Sequence, residues 1–172
     1  MKQLKITELI SQHDRKSFDC GNEALNNFIQ RTAKQQAGRE ITRTYVLCET
    51  DNPSKIIGFY TLTFCSVKPH PDCLAPKYPH DLSAIKIARF AVDAKQQGKG
   101  IGGYLLMDAL RKSLDVHKIS PLMGVTLDAK DQSATKFYSS HGFSEFESKP
   151  EGIPTPMILL MQTIQEALEP PT

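Results

Sequence analysis

The feature that most constrains this chain is the run Gln97-Gly98-Lys99-Gly100-Ile101-Gly102-Gly103, with four glycines in seven residues. Behind it, Ile101, Leu105, Leu106, Ala109, Leu110 and Leu114 form one helical stripe. Ahead of it, Ser83 to Asp93 alternates through Ile85 and Ile87. It then shifts phase at Ala88, Phe90 and Val92, as a bulged or doubly buried strand does. Leu122 to Leu127 reads as the next strand, so the glycines sit at the first turn of a βαβ unit. Glycine-rich backbone entering a helix turns its N–H groups toward one point, where the helix dipole also favours negative charge. Without side chains to block approach, that point suits a phosphate or pyrophosphate, and Lys99 adds a positive charge. The bland alternative is a flexible connection ahead of a helix.

Among phosphate ligands, a P-loop is disfavoured because no Gly-Lys-Ser/Thr follows. The run does fit G-x-G-x-x-G, with Asp128 at the end of the next strand, which imitates a dinucleotide fingerprint. That fingerprint needs its glycines almost directly after the strand, whereas Ala94-Lys95-Gln96-Gln97 intervenes here. The chain also has a single unit of this kind, so a nicotinamide or flavin enzyme is disfavoured.

The remainder completes a mixed α/β pattern. Leu25, Phe28, Ile29, Thr32 and Ala33 mark a helix that Asn22 caps and that ends near Gly38. Arg43 to Glu49 and Lys55 to Ser66, separated by Asp51-Asn52-Pro53-Ser54, read as an antiparallel hairpin, with Gly58 marking a bulge. Pro69, Pro71, Pro76 and Pro79 make the stretch from Val67 to Leu82 a loop. Asp131 to His141 reads as a short helix ended by Gly142, and Pro156 to Met161 as a final buried strand. A chain of 172 residues, 40% hydrophobic, is expected to form one domain, residues 1–172.

With 21 Lys and Arg against 19 Asp and Glu, no global charge demands nucleic acid, although a local basic face is compatible with it. No stretch is apolar enough for a membrane span, and the start lacks the apolar core of a signal peptide. Cys20, Cys48, Cys65 and Cys73 form no Cys-x-x-Cys pair, so they are expected to be reduced thiols of a cytoplasmic protein. His70, Cys73 and His80 lack a recognisable fourth ligand, and no metal is expected.

Gln97-Gly98-Lys99-Gly100-Ile101-Gly102 matches the Q/R-x-x-G-x-G/A motif of the GNAT acetyltransferases, and Ile87 to Asp93 resembles the strand before it. Downstream, Ala134-x-x-Phe137-Tyr138-x-x-x-Gly142-Phe143 resembles the same family's A-x-x-F-Y-x-x-x-G-F segment. Phe18-Asp19-Cys20-Gly21, Leu25, Phe28-Ile29 and Arg43 to Leu47 resemble the amino-terminal half of one branch, the acetyltransferase toxins of bacterial toxin–antitoxin pairs. Asn26 stands where that branch commonly has Asp, and Asp131 where other members have Asn.

The resemblance implies a central, mostly antiparallel sheet opened near Val92, with helices on both faces. It implies acetyl-CoA held by backbone groups of Phe90, Ala91 and Val92 along the pantetheine and by Gln97, Gly98, Lys99, Gly100, Ile101, Gly102 and Gly103 at the pyrophosphate. Asp131, Ala134 and Phe137 are implied further along the cofactor site. Tyr138 points about 100° away from Phe137 around the helix and is the expected general acid for the departing thiolate. Asp93, Asp128 and His141 are base candidates by position only.

The implied activity is acetylation of the α-amino group of aminoacyl-tRNA, with arrest of translation, neutralisation by a ribbon-helix-helix antitoxin, and a homodimeric state. Lys34, Arg39, Arg43, Lys86, Arg89 and Lys95 are the residues expected to track the RNA backbone. The alternatives are a GNAT enzyme acting on a protein N-terminus, a polyamine or another small amine, and a non-catalytic acyl-CoA-binding module.

Overall fold

Alternation of apolar and polar residues at the start of the chain produces a strand, β1 (Leu4–Glu8), that pairs antiparallel with β2 (Arg43–Glu49) from Leu4↔Glu49 to Glu8↔Tyr45. A computed structural model describes residues 3–68, 81–146 and 149–169. The expected hairpin is present. β2 pairs antiparallel with β3 (Asn52–Val67), and the register moves from Leu47↔Gly58 to Cys48↔Ile56, which leaves Ile57 as the extra residue beside the glycine. β4 (Leu82–Val92) follows. The segment between them, with its prolines and with His70, Cys73 and His80, lies almost wholly outside the described residues.

The described residues cluster into two compact units, 1–63 with 87–109 and 64–86 with 110–172. Strand order is β1-β2-β3-β4 in the first and β3-β4-β5-β7-β6 in the second, with β3 and β4 running through both.

In the first unit, the helix begins where Asn22 was expected to cap it, with its Oδ1 accepting from the Leu25 amide at 3.1 Å. That helix is not uniform. α1 (Glu23–Asn27) passes through a π turn (Phe28–Thr32) into α2 (Ala33–Gly38), and Phe28, Ile29 and Ala33 are all buried. They pack with Phe18, Val46, Ile56, Phe59 and Ala91. Phe18 meets Phe59 edge-on at 5.3 Å, and Phe28 stacks on Phe59 at 6.1 Å.

In the second unit, the strand expected over Leu122 to Leu127 is β5 (Gly124–Ala129). The amide of Met123 just before it donates to the Ser83 carbonyl. α4 (Gln132–Ser140) is capped by Asp131, and β7 (Thr155–Leu160) pairs antiparallel with β5 from Gly124↔Leu160 to Ala129↔Thr155. Two elements add to the sequence reading. The final strand expected over Pro156 to Met161 is β7, after which Met161 opens α5 (Met161–Leu168), and a two-residue strand, β6 (Ser144–Glu145), adds to β7. Gln162 and Glu166 share a solvent-facing side of α5 while Met161 and Ile164 are buried, a period too short for periodicity alone to reveal.

Candidate active site

The glycine run lies in the first unit, between β4 and α3 (Ile101–Ile119). Asp93 caps a short 3₁₀ turn (Ala94–Gln96) by accepting from the Lys95 amide at 3.0 Å. The chain then enters the glycines, where Gly98 has φ +75° and Gly100 φ +79°, conformations that L side chains rarely adopt. A Cβ at either residue would meet nothing within 4 Å, so conformation and access, not crowding, explain the glycines.

The Tyr104 amide bonds back to the Gly100 carbonyl, which leaves the preceding first-turn amides of α3 without intrahelical acceptors. No acidic residue stands in that turn. Exposed donors, an open approach and the positive end of a 19-residue helix fit a pyrophosphate.

Two exposed side chains of the run bond back to the backbone around them. Gln97 Nε2 donates to the Cys20 carbonyl at 3.1 Å and the Val92 carbonyl at 3.0 Å, while Lys99 Nζ donates to the Lys95 carbonyl at 2.7 Å and to Gln96 Oε1. Of the expected pantetheine strand, Ala91 is buried, Phe90 and Val92 are half-buried, and the Val92 carbonyl already accepts from Gln97.

Tyr138, Phe137, Ala134 and Asp131 lie in the second unit. The Asp131 carboxylate accepts from the Ala134 amide at 2.8 Å, so it serves as the N-cap of α4, and Ala134 is half-buried in the first turn. Tyr138 is only 7% exposed, more buried than its neighbour Phe137, and its ring meets Phe137 and Phe143 edge-on at 5.1 and 5.7 Å. Burial pushes its phenol well above the usual tyrosine range, so the group stays protonated throughout the neutral region.

The three base candidates are engaged. Asp93 caps the 3₁₀ turn, Asp128 pairs with Lys86 at 2.6 Å, and His141 Nδ1–H donates to the Phe137 carbonyl at 2.8 Å.

The basic residues are not equivalent. Lys34, Arg39 and Lys95 are exposed, and Arg89 lies over the Phe28 ring at 5.2 Å while donating to the Ala88 carbonyl. Arg43 pairs with Glu8 at 2.9 Å and Lys86 with Asp128, so these two already have carboxylate partners. Among the described residues no cluster of His, Cys, Asp and Glu could hold a metal, and no helix is long and apolar enough to cross a membrane.

A family model described as the acetyltransferase (GNAT) domain matches residues 40–145, more than half of the chain. The chain belongs to the GNAT acetyltransferase family. Its relatives narrow the comparison. This acetyltransferase is 29% identical over 152 residues to a tRNA-acetylating toxin of Mycobacterium tuberculosis, covering 87% of each chain. Among solved structures it matches AtaT complexed with acetyl-methionyl-tRNAfMet (TM-score 0.84, 25% identity, 96% of this chain and 99% of the other). It also matches AtaTR bound with acetyl-CoA (0.82, 27%, 95% and 97%) and an AtaT mutant toxin bound to the C-terminus of the antitoxin AtaR (0.82, 25%, 96% and 98%).

Asp19, Cys20 and Asn26 were not singled out as site residues by sequence. The signal was available in Asp19-Cys20-Gly21 with Asn26 on the helix that follows, but it carried only the resemblance to the toxin branch and a departure from it at Asn26.

Proposed function

We propose that this acetyltransferase transfers the acetyl group of acetyl-CoA to the α-amino group of an aminoacyl-tRNA, and that it is a translation-blocking toxin held in check by a ribbon-helix-helix antitoxin. The observation that carries the reading is likeness along nearly the whole chain, 87% of it, to a tRNA-acetylating toxin. Similarity to AtaT bound to acetyl-methionyl-tRNAfMet supports the substrate, and similarity to AtaT bound to AtaR supports the antitoxin. The protein then acts in the cytoplasm, where charged tRNA is found, as a homodimer.

Bound acetyl-CoA supplies an acetyl group activated as a thioester. The amides around Gly98, Gly100 and the first turn of α3 hold its pyrophosphate, with Ile101, Gly102 and Gly103 contributing backbone, while Phe90, Ala91 and Val92 offer backbone to the pantetheine. Ala134 and Phe137 contribute to the cofactor site from α4. The amine nitrogen attacks the thioester carbon and loses a proton to solvent as the C–S bond breaks, while the Tyr138 phenol gives its proton to the departing sulfur and regains one from solvent, a role typically worth about 10²–10⁴ in rate.

No strong base is required. An α-amine titrates near 7.7–8.0 against about 10.4 for lysine, so a useful fraction is neutral at pH 7. Lys34, Arg39, Arg89 and Lys95, with Arg43 and Lys86 once released from their carboxylates, meet the RNA phosphates.

The test is incubation with labelled acetyl-CoA and a full set of charged tRNAs, repeated with Tyr138→Phe. Label on one or a few aminoacyl-tRNAs, reduced by about 10²-fold or more in the variant, supports the reading. Label on free amines or protein N-termini and on no tRNA overturns it.

A further inference from the structure

The loop that carries the phosphate-binding glycines is fastened to a second loop far away in sequence. The Ala94 amide donates to the Asp19 carbonyl at 2.9 Å, and Gln97 Nε2 donates to the Cys20 carbonyl. Asp19 and Cys20 are in turn fixed by one side chain of α1. Asn26 accepts from the Cys20 amide through Oδ1 at 2.9 Å and donates through Nδ2 to Asp19 Oδ1 at 2.8 Å. Asp19 Oδ1 also accepts from the Gly21 amide at 2.8 Å, and Gly21 has φ +80°. These bonds hold the Asp19 carboxyl below the usual carboxylate range, with the Gly21 amide the largest cause and the Asn26 amide next.

We infer that Asn26 is a positioning residue for acetyl-CoA: acting through Asp19, Cys20 and Gln97, it sets the geometry of the loop from Asp93 to Gly100 without touching the ligand. The inference rests on the acetyl-CoA reading above. Its physical basis is that Gly98 and Gly100 cannot fix their own conformation, because glycine samples both signs of φ freely. A phosphate cradle made of glycine needs its shape imposed from outside, and the two carbonyls that accept from Gln97 impose it here. Gln97 therefore contributes as a donor to protein carbonyls, and an arginine in its place keeps that role where a glutamate reverses it. Asn26 matters because it is both acceptor and donor. Aspartate at this position keeps the first bond and can keep the second only by sharing a proton with Asp19.

The experiment measures acetyl-CoA affinity by calorimetry, together with KM and kcat, for the wild type, Asn26→Ala, Gln97→Glu and Gln97→Arg. Circular dichroism checks that each is folded. Asn26→Ala is expected to weaken acetyl-CoA binding and raise its KM about tenfold, with kcat at saturation nearly unchanged. The loss should be small for S-acetylpantetheine, which has no pyrophosphate. Gln97→Arg retains binding that Gln97→Glu loses.

Folded Asn26→Ala with wild-type affinity, or with lower kcat at unchanged KM, overturns the proposal. So does Gln97→Glu binding acetyl-CoA as tightly as Gln97→Arg. A wild type that binds acetyl-CoA while the variants bind equally well refutes the positioning role alone. A wild type that binds no acetyl-CoA removes the cofactor reading and the proposal with it.

Discussion

Gly58 is the position at which a single methyl group should disturb both the fold and the cofactor strand. A Cβ there would lie 2.6 Å from Leu105 Cδ1, 3.2 Å from the Ala91 carbonyl oxygen and 3.7 Å from Ile101 Cγ2. Carbon atoms in contact settle near 3.5–4.0 Å, so Leu105 must retreat by about 1 Å. Leu105 is completely buried, so its retreat must displace packed neighbours. Overpacking of this kind costs about 1–3 kcal/mol, and loss of glycine's freedom in the unfolded chain offsets about 0.4–1 kcal/mol. Gly58→Ala should therefore be destabilised by about 1–2 kcal/mol, lowering Tm by about 2–8 °C for a chain of this length.

Because Ala91 belongs to the expected pantetheine strand and Ile101 opens α3, the KM for acetyl-CoA should rise several-fold as well. Denaturant unfolding and steady-state kinetics measure the two effects. Leu105→Ala, which alone costs about 2–5 kcal/mol, should be less than additive with Gly58→Ala, because the new methyl enters the space vacated. A variant as stable as the wild type, or strict additivity of the pair, would refute the reasoning.

Gly124→Ala should cost more than Gly58→Ala in the same unfolding assay, because its Cβ would overlap the Leu159 carbonyl, and backbone paired in a sheet yields less than a side chain. Cys48 is 4% exposed, and burial pushes its thiol up to about 11. At pH 8 its thiolate fraction is then about 200-fold below that of an ordinary thiol at 8.5, and alkylation of the native protein, followed by mass spectrometry, should spare it. The raised Tyr138 phenol is the favoured, protonated form below its ordinary value of about 10, and its stabilising contribution is lost only as pH climbs from there toward the folded value. The kcat/KM profile should therefore rise with the substrate amine to about pH 8 and stay level to about 9.5. A fall centred below pH 9 that Tyr138→Phe abolishes would contradict this. Lys34→Ala, at an exposed position, should weaken tRNA binding alike for all sequences and reduce the salt slope by about 0.9.

Much of the architecture was legible because it rests on local rules. The Asn22 cap, the hairpin around Asp51 to Ser54, the bulge at Gly58 and the α3 stripe each follow from residue type and spacing over a few positions. β1 escaped notice because five residues of weak alternation carry little signal until β2 is there to receive them. The π turn at Phe28–Thr32 was hidden because its sequence is compatible with an ordinary helix, in which Phe28, Ile29 and Ala33 already share one face.

By itself, the sequence determined that a glycine cradle stands before a helix and that a tyrosine follows a phenylalanine on a second, short helix, since both are statements about neighbours in the chain. Tertiary structure decided what those residues do with their side chains. It turned Gln97 onto the carbonyls of Cys20 and Val92, committed Arg43 and Lys86 to carboxylates, and buried Tyr138 deeply enough to keep its proton. The reason is that hydrogen-bond partners and desolvation belong to positions in space, and Gln97 is separated from Cys20 by 77 residues of chain that no local pattern can span.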